Sequence, residues 1–189
     1  MNKEIIAQVR MISLVRLNSY RSYKMNKRNI TILSMIALAV ITRLLPHPPN
    51  VAPITGMALF AGYSFSDKRM AFLLPLLCMF ITDIFLGFHM IMPFVYFAFM
   101  GISYMGINSE KIGNGTILKS STLFFVLTNF GVWLVGYPLT FAGLVSCYTL
   151  AIPFFAYTII GDLFFTHSLS YSFSKLEEKY PILRLGELK

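Results

Sequence analysis

Two carboxylates lie inside long apolar stretches of the chain, Asp83 and Asp162. An ionised carboxylate in hydrocarbon costs at least ~2.5 kcal/mol, so such a group normally faces the interior of a helix bundle and has a partner. Each residue is therefore a candidate proton site or substrate contact. The alternative is a structural role, in which the carboxylate fixes helix packing through hydrogen bonds. We favour that alternative for Asp162, beside Gly161, and keep both interpretations for Asp83.

Three more polar residues fall at the ends of apolar segments. Arg43 closes the first segment, and a salt bridge to Asp83 is the expected way to hold its charge. His47 and His89 lie in two connections that contain no Lys, Arg, Asp or Glu. A lone histidine is usually an interfacial polar residue. Two on the same face make contact with a ligand or a metal an equal alternative.

Asn129, Trp133 and Tyr137 recur at every fourth position, so they are expected to share one stripe of a helix. An aromatic belt at a membrane interface explains the two rings, but not the amide one turn deeper. We interpret the stripe as a pocket wall, with rings for stacking and an amide for orientation. Tyr96 is expected on the facing wall. The predicted substrate-binding residues are Arg43, His47, Asn50, Asp83, His89, Tyr96, Asn129, Trp133 and Tyr137.

The composition predicts a membrane protein. Hydrophobic residues make up 56% of the 189 residues and charged residues 13%, whereas soluble domains carry about 25% charged residues. A soluble core of this size would lack a charged shell. The net charge of +8 would also fit a nucleic-acid-binding protein, but the basic residues flank apolar runs, as the positive-inside rule describes.

Six apolar segments predict an all-α membrane protein, a compact bundle of about six transmembrane helices with cytoplasmic N- and C-termini. The segments are 30–45, 51–65, 70–88, 91–107, 118–137 and 147–173. Threaded in this way, all of the 16 Lys and Arg residues except Arg43 lie on one side, which indicates a multi-pass protein of the bacterial inner membrane. The first two segments are short for a span of ~20 residues. Five spans, or four with re-entrant pieces, are the alternatives.

The two ends of the chain are polar. Residues 1–29 form a basic segment. It is either an anchor on the anionic leaflet, or translation really begins at Met25 and the first 24 residues are an artefact of the assigned start site. We favour the second interpretation. Residues 174–189 form a cytoplasmic tail, and 30–173 form the transmembrane domain.

The chain carries no motif of an enzyme or of a nucleotide-binding protein, so we expect neither catalysis nor a cofactor. Cys78 and Cys147 have no metal-ligand spacing and are interpreted as small packing residues. His167 is interpreted as structural.

The stretches 43–50, 53–54, 58–62 and 83–89 resemble a family of small uncharacterised bacterial membrane proteins. That family is similar to the substrate-binding S components of energy-coupling-factor transporters. The resemblance covers residues 30–173. It implies six helices, a binding site beneath the outer loops, and a membrane-embedded coupling subunit with ATPases as partner. S components often dock that subunit through an A-x-x-x-A face on the first helix; here the nearest equivalent is Ala58 and Gly62 in the second segment.

Two functions follow. The first is uptake of a small, vitamin-like molecule through a pocket under the outer loops. The second is a structural or assembly factor that docks a partner through its aromatic outer loops. An intramembrane metalloenzyme that uses His47, His89 and Asp83 is the least favoured alternative.

Overall fold

Six α-helices and no strand make up the part of the chain described by the computed structural model, residues 27–46 and 50–184. The helices are α1 (residues 27–44), α2 (Ile54–Ser64), α3 (Lys68–Leu86), α4 (Met92–Ile107), α5 (Asn114–Gly136) and α6 (Phe141–Lys179), followed by a short 3-10 turn (Pro181–Leu183). The prediction of an all-α fold is therefore confirmed, with six helices in the described residues; that about six helices cross the membrane stays a prediction.

Three of these helices are long and apolar enough to cross a membrane: α3, α5 and α6. Helix α4 is also apolar but has 16 residues. These lengths and compositions fit a helical membrane protein. The longest helix, α6, has 39 residues. It begins six residues before the predicted segment 147–173 and continues into the predicted polar tail.

Helix α2 covers only part of the membrane thickness, so the non-helical residues on either side of it must complete any crossing of this segment. Its 11 residues reach about 16 Å, roughly half of a ~30 Å hydrocarbon layer. The predicted segment 51–65 is helical only from Ile54, because Pro53 and the left-handed backbone of Asn50 (φ 63°) precede it. Of the residues in α2, only Tyr63 is exposed. It is a central helix that contacts α3, α4, α5 and α6.

Local sequence signals set the ends of the longer helices. The Asp67 side chain accepts a hydrogen bond from the Arg69 backbone N–H at the start of α3 (2.9 Å), as expected of an N-cap residue. Gly87 ends α3 with φ 95°, a conformation that residues with a Cβ rarely adopt. Thr140 caps α6 through the Gly143 N–H (3.1 Å).

Close backbone contact lets α2 occupy the centre. A Cβ at Gly62 would lie 2.8 Å from the backbone of Gly106 in α4, and a Cβ at Gly106 would lie 2.8 Å from the Leu59 carbonyl oxygen. Small residues at such crossings allow helices to approach in membranes. On its other side α2 packs against α1 and α6, in a cluster that includes Ile32, Ile36, Met57, Phe60, Leu169 and Phe173.

Arg28 joins α1 to the end of the chain. It is 8% exposed, donates to the carbonyl oxygens of Ser64 (3.1 Å) and Leu183, and forms an ion pair with Glu177. The sequence had placed Arg28 in the basic segment 1–29, outside the bundle. In the structure residues 27–29 already belong to α1, and the Arg28 guanidinium lies over the ring of Phe173 (4.8 Å to the centroid).

Candidate functional site

The predicted salt bridge between Arg43 and Asp83 is confirmed. Arg43 Nη2 lies 2.7 Å from Asp83 Oδ1, and the hydroxyl of Tyr96 donates to Asp83 Oδ2 (2.8 Å). Arg43 Nη1 also donates to the hydroxyl oxygen of Thr82. We call Arg43, Thr82, Asp83 and Tyr96 the outer ion-pair cluster. It ties α1, α3 and α4 together near the predicted outer end, where α3 ends and α4 begins.

The charges within the outer ion-pair cluster compensate each other. Both carboxylate oxygens of Asp83 have a donor, and the side chain is 4% exposed. Arg43 is 15% exposed and touches the anion directly. A buried pair with satisfied hydrogen bonds behaves as a neutral unit, so this cluster presents little net charge to its surroundings.

A cavity of about 420 Å³ lies within the bundle, among α2, α4, α5, α6, the ends of α1 and α3, and the connections before α2 and α4. Its polar lining consists of Arg43, Asn50, Thr55, His89, Thr128, Asn129, Thr158 and Asp162. Its aromatic lining consists of Phe99, Phe124, Phe125, Phe154 and Phe155. We call it the central cavity. A concave, mainly apolar space with a few convergent polar groups is the usual form of a small-molecule site.

Asp162 forms the deep polar end of the central cavity. The residue is 2% exposed, and its Oδ2 accepts a hydrogen bond from the Ser121 hydroxyl (2.6 Å). The Thr55 hydroxyl, in the first turn of α2, bonds to the same carboxylate. We call Thr55, Ser121 and Asp162 the buried acid cluster. Its hydroxyls are neutral partners, so the charge of an ionised Asp162 is solvated but not cancelled.

The two polar clusters lie at different depths. Asp83 is three residues from the last residue of α3, about 4.5 Å along the axis. Ser121 is 15 residues from the last residue of α5 at the same end of the bundle, about 22 Å along the axis. The central cavity therefore has one polar wall near the predicted outer end and another about two thirds of the way along α5 from that end.

The structure brings some predicted site residues together and not others. Arg43, Asn50, His89 and Asn129 line the central cavity. Asp83 and Tyr96 lie behind Arg43, in the outer ion-pair cluster, and do not line it. His47 lies outside the described residues.

The stripe of Asn129, Trp133 and Tyr137 does not form one wall. The Trp133 ring packs on Phe130 (centroids 5.6 Å apart), and its Nε1 donates to the Pro138 carbonyl oxygen (3.1 Å). Tyr137 lies just past the last residue of α5, so the helical spacing stops one residue before it. Tyr137 and Asn129 instead share a smaller cavity of about 240 Å³ with Cys147. Whether any of these residues binds a substrate stays a prediction.

Sequence reasoning did not place Asp162, Thr55, Thr158 or the phenylalanines in the cavity wall. A usable signal was present in α6, where Ala151, Phe155, Thr158 and Asp162 follow a helical spacing and all line the cavity. No comparable signal marks Thr55, because α2 is buried almost all round.

The remaining chemically notable residues have local contacts. His167 Nε2 lies 2.8 Å from Asn114 Oδ1 and links α6 to the start of α5. Cys78 and Cys147 are free thiols, and the Cys147 thiol donates to the Asn129 carbonyl oxygen (3.5 Å). Within residues 27–46 and 50–184, no three His, Cys, Asp or Glu side chains gather in a metal-binding group.

Comparison with known proteins gives one result. No curated protein and no solved structure matches the chain. The profile of one family, described as a family of unknown function (DUF6580), matches residues 23–183. That range includes all six helices, both polar clusters and the central cavity, so the chain belongs to the DUF6580 family.

Proposed function

We propose that this protein is a substrate-binding membrane transport protein, which takes up a small, vitamin-like molecule through the central cavity. The observation that carries the proposal is the cavity itself. It holds about 420 Å³ inside the bundle and is lined by polar groups from two levels and by five phenylalanines. A purely structural bundle of this size would be expected to close such a space, because protein interiors are packed nearly as densely as organic crystals.

The position of the cavity favours entry from the predicted outer end. Asn50 and His89 belong to the connections before α2 and α4, and both are exposed as well as cavity-lining. They therefore lie where a solute would enter. The resemblance to S components of energy-coupling-factor transporters supports the same arrangement, a site beneath outer loops.

The proposed orientation places both chain ends in the cytoplasm of a bacterial cell, with the protein multi-pass in the inner membrane. The positive-inside pattern supports it. Reporter fusions after Lys68, Lys111 and Lys175 should read cytoplasmic, and fusions after His89 and Thr140 should read periplasmic. A periplasmic reading at Lys111 would contradict this orientation.

The energy source in the proposal is a membrane-embedded coupling subunit with ATPases. The resemblance to S components motivates it, and the chain itself offers no nucleotide-binding motif. The face carrying Ala58 and Gly62 is not free for docking, because α2 is enclosed by its neighbours and Gly62 contacts α4. A coupling subunit would have to dock on another helix. Co-purification of such a subunit after mild detergent extraction is the test, and transport by the purified protein alone in liposomes would argue against the partner.

Ligand binding is testable with one pair of variants. A thermal-shift screen of vitamins and cofactor precursors on purified protein should give stabilising compounds. Ala151→Phe adds a ring to the cavity wall, where Ala151 is 9% exposed, and should abolish the shift. Ile152→Phe places the same ring on the neighbouring residue, which is 58% exposed on the outside of α6, and should leave the shift intact.

Two outcomes would count against the proposal. If no compound stabilises the protein, or if the shift survives Ala151→Phe, the central cavity does not bind the substrate. Uptake of a confirmed ligand into cells should follow the same pattern across the two variants. Binding without uptake would indicate that the protein is a receptor or sensor and not a transporter.

A second candidate is an assembly factor that docks a partner through its outer loops. Exposed apolar side chains at that end favour it: Phe88, Met90, Leu139 and Phe141 are 65–81% exposed. Replacing Phe88 and Met90 by serine separates the two functions. If this variant fails to complement a strain that lacks the protein, whereas Ala151→Phe still complements it, docking is supported over transport.

A further inference from the structure

The charge balance of the central cavity decides which ligands it can hold. Two charged side chains, Arg43 and Asp162, line it within the described residues. Arg43 is occupied by Asp83 at 2.7 Å, outside the cavity. Its charge is therefore compensated before any ligand arrives.

Asp162 has no such compensation. Within the part of the chain that the structure describes, it takes part in none of the three salt bridges. Its partners are the Ser121 and Thr55 hydroxyls. The first turn of α2, which carries Thr55, adds the partial positive charge of a helix start, at most about half of an elementary charge. An ionised Asp162 therefore gives the cavity around it a negative potential.

The aromatic lining of the cavity also favours a cation over an anion. Phe99 and Phe124 contact each other with centroids 5.3 Å apart, and Phe125 and Phe155 with centroids 4.5 Å apart. The faces of such rings attract organic cations and stack on flat groups. Inorganic cations gain less here, because they need several oxygen ligands in place of their water and most of the cavity wall near the rings is carbon.

We infer that the central cavity selects a small organic cation with a flat apolar body, whose charged nitrogen donates to the Asp162 carboxylate and whose body packs against the phenylalanines of the wall. This inference rests on the proposed function and narrows its substrate class. A carboxylate or phosphate ligand is excluded by the same geometry, because it would bring a second negative charge to Asp162 in a region where water screens little.

Three probes of nearly equal shape test the inference on the unaltered protein: benzamidinium, benzamide and benzoate, which are cationic, neutral and anionic. Binding is measured by thermal shift and by isothermal titration in detergent. Benzamidinium should bind at least tenfold more tightly than benzamide, and benzoate should not bind. Equal or tighter binding of benzamide or benzoate would overturn the inference, as would failure of all three to bind.

Two variants place the cation at Asp162. Asp162→Asn should cost benzamidinium at least tenfold in affinity and change benzamide less than threefold. Ser121→Ala removes a hydroxyl but keeps the charge, so it should keep the preference for the cation. An unchanged preference in Asp162→Asn would overturn the assignment. If Asp162→Asn does not fold, the three-probe comparison and Ser121→Ala still decide.

The outcome separates this inference from the proposed function. Neutral or anionic compounds that stabilise the protein in the broad screen, and lose their effect in Ala151→Phe, would keep the cavity as a binding site and reject the cation. Absence of any ligand in both experiments would reject the binding site as well.

Discussion

The Arg43–Asp83 pair makes the predicted outer end of the bundle a sensitive point for stability. Asp83→Asn keeps the shape of the side chain and removes its charge. Arg43, 15% exposed, would then remain as a cation without an anion. Removing one partner of a buried ion pair costs about 3–5 kcal/mol. The hydrogen bond from Tyr96, 2.8 Å long, would also lose its charged acceptor, and bonds to charged groups are stronger than neutral ones by about 1 kcal/mol. We expect Asp83→Asn to lower the free energy of unfolding by about 3–5 kcal/mol.

The double variant shows whether the loss comes from the stranded charge. Arg43→Gln alone leaves Asp83 buried without its cation and should cost about as much as Asp83→Asn. Arg43→Gln with Asp83→Asn removes both charges, and neutral replacement of a whole buried pair is often close to neutral for stability. The coupling energy between the two sites should therefore be at least about 3 kcal/mol, well above the ~0.5 kcal/mol that marks independent sites.

The chain contains a single tryptophan, Trp133, whose fluorescence reports unfolding. Equilibrium unfolding in mixed micelles with increasing SDS gives the four free energies of the cycle. Asp67→Asn is the matched control, because it makes the same chemical change at an exposed helix cap where Asp and Asn are equally good; it should be nearly silent. If the two single losses simply add in the double variant, the ion pair does not stabilise the fold as argued here.

Two further predictions concern packing and the other end of the chain. Gly106→Ala should lower the free energy of unfolding by about 1–3 kcal/mol, because its Cβ would lie 2.8 Å from the Leu59 carbonyl oxygen of α2. Gly115→Ala is the control, since nothing lies within 4 Å of its Cβ, and it should be neutral or slightly stabilising in the same SDS titration. Equal losses in the two variants would contradict the close-contact argument. Arg28→Met should speed cleavage at the end of α6 in limited proteolysis, because the Ser64 and Leu183 carbonyls and Glu177 lose their shared donor. Lys175→Ala breaks an exposed pair with Glu178 and should not change the cleavage rate. Equal cleavage of the two variants would show that Arg28 does not hold this segment.

The helical class could be predicted from the sequence because it depends on local properties. The apolar run 70–88 lies within two residues of α3 at each end, whereas α6 begins six residues before the predicted 147, at Phe141, where Thr140 caps it. The Arg43–Asp83 pair could also be predicted, because Arg43 needs an anion and Asp83 lies near the end of the apolar run that returns towards it. In both cases a large free-energy cost, of exposing apolar residues or of burying a charge, can be offset in only a few ways.

The length of α2 and the role of Arg28 could not be predicted in the same way. A run of apolar residues fits a membrane span and a buried central helix equally well, and the choice depends on the Gly62–Gly106 contact between different helices. Arg28 is basic and near the start, so its charge alone indicates a cytoplasmic flank. Its burial depends on Glu177 and Leu183, about 150 residues away in the chain.

By itself, the sequence determined that the chain is helical and apolar, that its basic residues cluster at one set of connections, and that Asp83 and Asp162 need partners within the bundle. Only the tertiary structure decided which carboxylate faces the cavity. Asp83 is closed off by Arg43 and Tyr96, whereas Asp162, interpreted from sequence as a packing residue, lines the cavity beside two hydroxyls. The physical reason is that the cost of a buried carboxylate is local and can be read from its neighbours in the chain, whereas the groups that offset that cost come from helices far apart in sequence.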